Sequence, residues 1–172
     1  MSCTSLWPSR GDRIIVFLDT NILGLVCNKN TSFDESQQCK KWFDTLFIKG
    51  VRIVTSDLCN YEVMRGLKTS SIRSGKVAPG IKSLESLKSD GFLEFLPVST
   101  EALDLAANLW ARASTSGQTT RDEKDIDIDI IISAQYQLLK DEFLGQRVIM
   151  ATTNLKHLSI FCEAAHWQAI KL

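Results

Sequence analysis

Apolar positions along the chain follow two periods. Residues 14–19, IIVFLD, form an unbroken apolar run closed by an acid, as in a strand buried on both faces. VRIVTS (51–56), FLEFLPV (92–98), RVIMATT (147–153) and WQAIKL (167–172) read as four further strands. Pro97 marks the third as an edge or boundary strand. Between them the period changes to that of a helix. NILGLVCNK (21–29) predicts a short one. FDESQQCKKWFDTLFIKG (33–50) predicts a longer one, capped by Asp34 or Ser36 and ended by Gly50. SDLCNYEVMRGLK (56–68) follows, with Ser56 or Asp57 as N-cap, and then IKSLESLKSDG (81–91) with its glycine stop. STEALDLAANLWARAS (99–114) opens on a capping pattern, and IDIIISAQYQLLKDEF (128–143) is the last long helix. TSGQTTRDEKD (115–125) is polar and reads as a mobile loop.

Strands alternating with helices predict an α/β domain of three layers, α/β/α, around a central, mainly parallel sheet of about five strands. The 172 residues suit a single domain, 1–172, with 1–12 as a flexible extension. Composition adds little beyond exclusions. No apolar run approaches the roughly 20 residues of a membrane helix, and Met1–Arg10 lacks the pattern of a secretory signal, so a cytoplasmic protein is expected. Five scattered cysteines without a C-x-x-C pair argue against a disulfide scaffold or zinc ribbon. Two histidines supply neither a His-rich metal site nor a clear Ser-His-Asp triad. The four tryptophans, Trp7, Trp42, Trp110 and Trp167, read as core or interface anchors.

The net charge is zero, from 20 basic and 20 acidic residues, but the signs are segregated. Arg65, Lys68, Arg73, Lys76, Lys82 and Lys88 lie in the middle third, and five acids crowd residues 122–129. In parallel α/β sheets ligands bind beyond the carboxyl ends of the strands. Asp19 ends the first strand there, with Thr20 and Asn21 behind it as cap or support. Glu62 sits about one and a half turns into the helix after strand two. Asp129 opens the last long helix, and Asn154 follows strand four. Three carboxylates and an amide at one sheet edge would repel one another without a cation. An oxygen-only set points to Mg²⁺ or Mn²⁺, which activates water and neutralises a phosphodiester in metal nucleases.

FLDTN, YEVMRGL, DIDIIISAQ and ATTN stand in the order found in PIN-domain ribonucleases, which include toxins of bacterial toxin–antitoxin pairs; the chain resembles that family over about residues 13 to 172. The resemblance implies a PIN-like fold and a divalent-metal-dependent endoribonuclease leaving 5′-phosphate and 3′-hydroxyl ends. It implies Asp19, Glu62 and Asp129 as the catalytic, metal-holding acids and Asn154 as the fourth metal position. Thr20, Asn21 and Thr152 take supporting places. Ser133 stands where the family has Ala. Asp127 is a helper candidate: it points about 160° away from Asp129 within a helix, or is the N-cap if the helix starts at Ile128. Asp125 shares a face with Asp129 if the helix starts early. Arg65, Lys68 and Arg73 are the RNA-binding candidates. Expected partners are RNA, an antitoxin protein that occludes the acidic crevice, and a second copy in a homodimer. The alternative is a catalytically weak PIN-fold module that binds RNA or protein. A receiver or dehalogenase-like phosphatase needs a second acid beside Asp19, where Thr20 and Asn21 stand instead.

Overall fold

The computed structural model describes residues 14–28, 34–116 and 123–171. Five strands, β1 (Ile14–Leu18), β2 (Arg52–Ser56), β3 (Glu94–Leu96), β4 (Arg147–Thr152) and β5 (Ala164–His166), form one sheet in the order β3-β2-β1-β4-β5. All four pairings are parallel. The central strand, β1, is apolar throughout because both its faces are covered: Ile15, Val16, Phe17 and Leu18 are wholly buried. The edge strands span three residues each, and short edges limit pairing with foreign strands. Each is tied to its inner neighbour by an arginine–glutamate pair, Arg52–Glu94 at 2.8 Å and Arg147–Glu163.

Among the described residues seven helices connect the strands: α1 (Thr20–Cys27), α2 (Asp34–Ile48), α3 (Asp57–Ser74), α4 (Pro79–Ser89), α5 (Thr100–Thr115), α6 (Glu123–Glu142) and α7 (Leu155–Leu158). α1 packs on α2, α3 and α4, while α6 packs on α5 and α7. These two groups are the outer layers expected from the sequence. Ser56 caps α3 through Leu58 N–H, and Ser99 caps α5 through Ala102 N–H. Gly75, with φ of 66°, closes α3 in the left-handed conformation that glycine adopts without steric cost. None of the described helices is long and apolar enough to cross a membrane.

The fifth strand is displaced from its expected place. WQAIKL is not a strand: Trp167–Ala169 is a 3₁₀ turn, and β5 lies just before it. Trp167 and Ile170 are both buried, and a three-residue spacing puts side chains on one side of such a turn. Trp42 meets Trp167 at 5.8 Å between ring centroids, so two of the tryptophans are packing anchors. Trp110 is exposed, and Trp7 lies outside the described residues. Ser36 lies inside α2 rather than capping it, where its hydroxyl accepts from the Asn28 amide. α6 begins at Glu123, so residues 123–125 are helical rather than loop; glutamate and lysine are good helix formers despite their polarity. The 1–12 extension and most of the expected loop lie outside the described residues.

Tyr136, 2% exposed, joins three elements. Its hydroxyl donates to Val148 O at 2.8 Å and accepts from Glu163 N–H at 3.2 Å, fastening α6 to β4 and to the approach to β5. Tyr136→Phe removes both bonds from a buried site. The expected cost is about 1–3 kcal/mol, read as a lower urea midpoint at unchanged m-value. An unchanged midpoint would show that the hydroxyl does not hold this junction.

Candidate active site

The strand order reverses direction at β1. From β1 the chain proceeds to β2 and β3 on one side, then returns to β4 and β5 on the other. Adjacent crossovers leave on opposite faces there, opening a crevice beyond the carboxyl ends of β1 and β4. Asp19 directly follows β1, and Thr152 is the last residue of β4.

Asp19 is 3% exposed. It is the N-cap of α1: its Oδ1 accepts Thr20 N–H at 2.6 Å. Its Oδ2 accepts the Thr152 hydroxyl at 2.7 Å. That hydroxyl in turn accepts Asn154 N–H at 2.8 Å. Two hydrogen bonds to the ionised form do not outweigh desolvation, and burial holds the Asp19 carboxyl above the ordinary carboxylate range, with Glu62 adding repulsion. The strand end is anchored from β2 and α3, since the Thr55 hydroxyl and the Cys59 thiol both reach Leu18 O, at 2.8 and 3.8 Å. Neither contact has a signal in the sequence, because each depends on which strand lies beside β1.

Glu62 is brought to the same place by α3. The Thr20 hydroxyl donates to Glu62 Oε2 at 2.6 Å, so one threonine bridges the two acids: its N–H binds Asp19 and its O–H binds Glu62. Glu62 Oε1 lies 3.7 Å from the Arg65 guanidinium, the i, i+3 pairing visible in the sequence. Arg65 also lies over the Tyr61 ring. The result is one chain of contacts, Asn154–Thr152–Asp19–Thr20–Glu62–Arg65. Asn21 is exposed beside it, on the wall of a cleft.

Asp129 is half-buried on α6. Its carbonyl accepts the Ser133 hydroxyl at 2.6 Å, which satisfies the small polar group standing in place of alanine. Asp129 and Asp19 both add to the upward shift of the buried Cys162 thiol, whose main cause is desolvation. Asp127 is exposed and inside α6, which rules out the N-cap role. The Asp125 side chain lies outside the described residues. The Asn154 side chain makes no cap bond to α7. Cys27, Cys39, Cys59 and Cys162 are buried and form no disulfide; burial lifts each thiol to about 12, consistent with inert packing groups.

Among the described residues no three His, Cys, Asp or Glu side chains stand together as a ready metal-binding group. The acids that do come together are Asp19 and Glu62. A buried carboxylate beside a half-buried one that repels it, without thiolate or imidazole, fits Mg²⁺ or Mn²⁺. Mg²⁺ keeps several waters and takes one or two protein carboxylates plus a substrate phosphate.

Two clefts meet at Glu62. One, of about 750 Å³, runs between α1, α3 and the start of α4, with Leu25, Val63 and Leu67 among its apolar lining. The other follows the exposed side of α3 past Arg65, Thr69 and Arg73. Of the basic candidates, Arg65 and Arg73 line this second cleft, while Lys68 is exposed and off its wall.

No protein-family model matches the chain, and no curated protein matches it by sequence. Its structure is similar to solved ones. VapBC2 from Rickettsia felis, bound to a DNA fragment from their promoter, aligns with a TM-score of 0.60 at 18% identity, over 89% of this chain and 98% of that one. FitAcB from Neisseria gonorrhoeae aligns with a TM-score of 0.64 at 14% identity, over 90% and 99%. VapC20 from Mycobacterium tuberculosis, described as a sarcin-ricin loop cleaving toxin, aligns with a TM-score of 0.51 at 13% identity, over 86% and 97%. At such identities the likeness is one of fold, and with its five-stranded parallel sheet the chain has the PIN-domain fold that its ordered motifs resemble.

Proposed function

We propose that the chain is a divalent-metal-dependent endoribonuclease, and that it is the toxin of a toxin–antitoxin pair. The observation that carries this reading is the buried Asp19 carboxylate at the switch point, held by Thr20 and Thr152 and joined through Thr20 to Glu62. The structural neighbours support it, since they include toxin–antitoxin complexes and a toxin described as sarcin-ricin loop cleaving.

In this reading Asp19 and Glu62 would hold Mg²⁺ or Mn²⁺, and Asp129 on α6 and Asn154 after β4 would be the candidates for further ligands, directly or through water. When bound, the ion neutralises phosphate charge and acidifies a water. The remaining work belongs to the chain. Thr20 and Thr152 fix the rotamers of both acids before substrate arrives, so little reorganisation is left for the reaction itself. Burial under α1 and β4 keeps bulk water from Asp19 and strengthens every charge interaction there. Arg65 supplies positive charge at the open side of Glu62, where a substrate phosphate enters. Single-stranded RNA suits this entrance better than a duplex, whose groove hides its bases. An antitoxin would dock in the cleft between α1, α3 and α4, whose apolar wall opens beside Glu62.

The test is cleavage of a labelled mixed-sequence RNA by purified protein in Mn²⁺, with a chelator control, alongside thermal melting in the same ion. Metal-dependent cutting is expected. So is stabilisation by Mn²⁺, of about 2.7 kcal/mol at a hundredfold excess over Kd. One observation favours a competing reading: no third acid stands with the Asp19–Glu62 pair among the described residues. Stabilisation by Mn²⁺ without cutting would favour a PIN-fold binding module. Neither cutting nor stabilisation would remove the metal centre altogether.

A further inference from the structure

Three glycines lie inside described helices, Gly24, Gly66 and Gly80. Two have reasons within the chain. A Cβ on Gly80 would meet Leu67 Cδ2 at 2.7 Å, and one on Gly24 would touch Val63 at 3.9 Å. Gly66 is different. It sits in the middle of α3, is exposed, and has ordinary helical φ. A Cβ there would meet nothing within 4 Å. A glycine at such a place weakens its helix and gains no packing in return. Its benefit lies outside the chain, where a missing side chain lets a ligand approach the backbone closely.

The surroundings identify that ligand. Gly66 lines both clefts that meet at Glu62. The cleft along α3 passes from Glu62 over Gly66 between Arg65 and Arg73, with the hydroxyls of Thr69 and Ser70 beside it. Arg65 and Arg73 are eight residues apart, about 12 Å along a helix, enough for separate phosphates. Among the described residues Arg73 has no carboxylate partner. The Thr69 hydroxyl donates back to Arg65 O within the helix. We infer that Gly66 is a crossing point for the RNA backbone: the strand leaves the acidic centre over the bare helix surface at Gly66, with Arg65 and Arg73 on its phosphates. This rests on the reading of RNA as substrate and gives that substrate a path; Lys68 has no part in it.

The experiment uses the full chain in chelator, so that binding is read without cleavage, with a labelled mixed-sequence single-stranded RNA titrated over a salt series. Gly66→Ala is expected to raise Tm by about 2–4 °C, because alanine is the better helix former. The same variant is expected to bind RNA about tenfold more weakly, the scale of one lost charge-assisted contact. Arg73→Gln is expected to reduce the log–log salt slope by about 0.7, and Lys68→Gln to leave it unchanged. A Gly66→Ala protein that melts lower would show a structural reason for the glycine and overturn the inference. One that melts higher yet binds RNA like wild type would overturn it too, leaving the ridge to a protein partner. Nuclease activity is scored separately. Wild-type cutting with unchanged Gly66→Ala binding sinks the crossing point alone, whereas weakened binding without any cutting sinks the nuclease alone.

Discussion

Asp19→Asn is expected to lower metal-dependent RNA cleavage by about 10³-fold or more, the scale of removing a preorganised charge from a transition state, while leaving the metal-free fold more stable at neutral pH. The two effects share one cause. Asp19 is buried, and desolvation raises its pKa above the unfolded value. A raised carboxyl pKa means that the native state holds its proton more tightly than the unfolded chain does. The stability this provides is complete below the ordinary carboxylate pKa and is lost as pH rises through the raised one. Metal-free wild type should therefore lose Tm over that interval, and the asparagine variant should lose less. Asparagine keeps an acceptor for Thr20 N–H and offers its amide to Thr152 Oγ1, so the cap survives the change. Melting across pH, beside cleavage in Mn²⁺, checks both halves. A variant that still cuts would move the centre elsewhere. One that is inactive but strongly destabilised would make Asp19 a structural cap.

Thr152→Val is the second large effect. Thr152 is wholly buried, and its hydroxyl is both donor to Asp19 Oδ2 and acceptor for Asn154 N–H. Valine preserves the shape and leaves a carboxylate oxygen and an amide without partners. A stability cost of about 1–3 kcal/mol is expected, together with a 10- to 100-fold loss of activity, roughly that of removing a group which orients a metal ligand. Direction of the pH profile separates orientation from simple damage. The Thr152 bond lowers the Asp19 pKa, so without it the acidic limb of the activity profile should move to higher pH. Thr152→Ser keeps the hydroxyl and should restore both the profile and most of the rate. An unmoved acidic limb in the valine variant would show that Thr152 does not act through Asp19.

What could be read in the sequence depended on how local each cause was. IIVFLD announces a doubly buried strand closed by an acid because parallel strands need apolar residues on both faces, and that requirement is written into consecutive positions. The cap of α3 could be narrowed to Ser56 or Asp57 for the same reason: donor and acceptor lie two residues apart, and Ser56 takes the place. The misplaced fifth strand shows the limit. Trp167 and Ile170 carry the apolar signal, but in a 3₁₀ turn, whereas the strand itself is the weakly patterned Ala164–His166. The acids could be named by motif, and Asp19 and Glu62 do meet. Their link through the Thr20 hydroxyl spans 42 positions and depends on α1 packing against α3. The depth of Asp129 depends on where α6 begins and how it lies on β4. A run of charged residues followed by isoleucines does not encode that.

The bond between Asp19 and Thr152 joins positions 133 residues apart, on strands that are neighbours only because the chain doubles back at the switch point. During synthesis the first acid leaves the ribosome long before its partner has been translated. Until β4 takes its place beside β1, Asp19 has no Thr152 hydroxyl to hold it and the crevice has only one of its walls. A nascent or C-terminally truncated chain therefore carries FLDTN and the Glu62 helix without the assembled centre. The last strands thus complete the Asp19–Thr152 bond and the second wall of the crevice in one step.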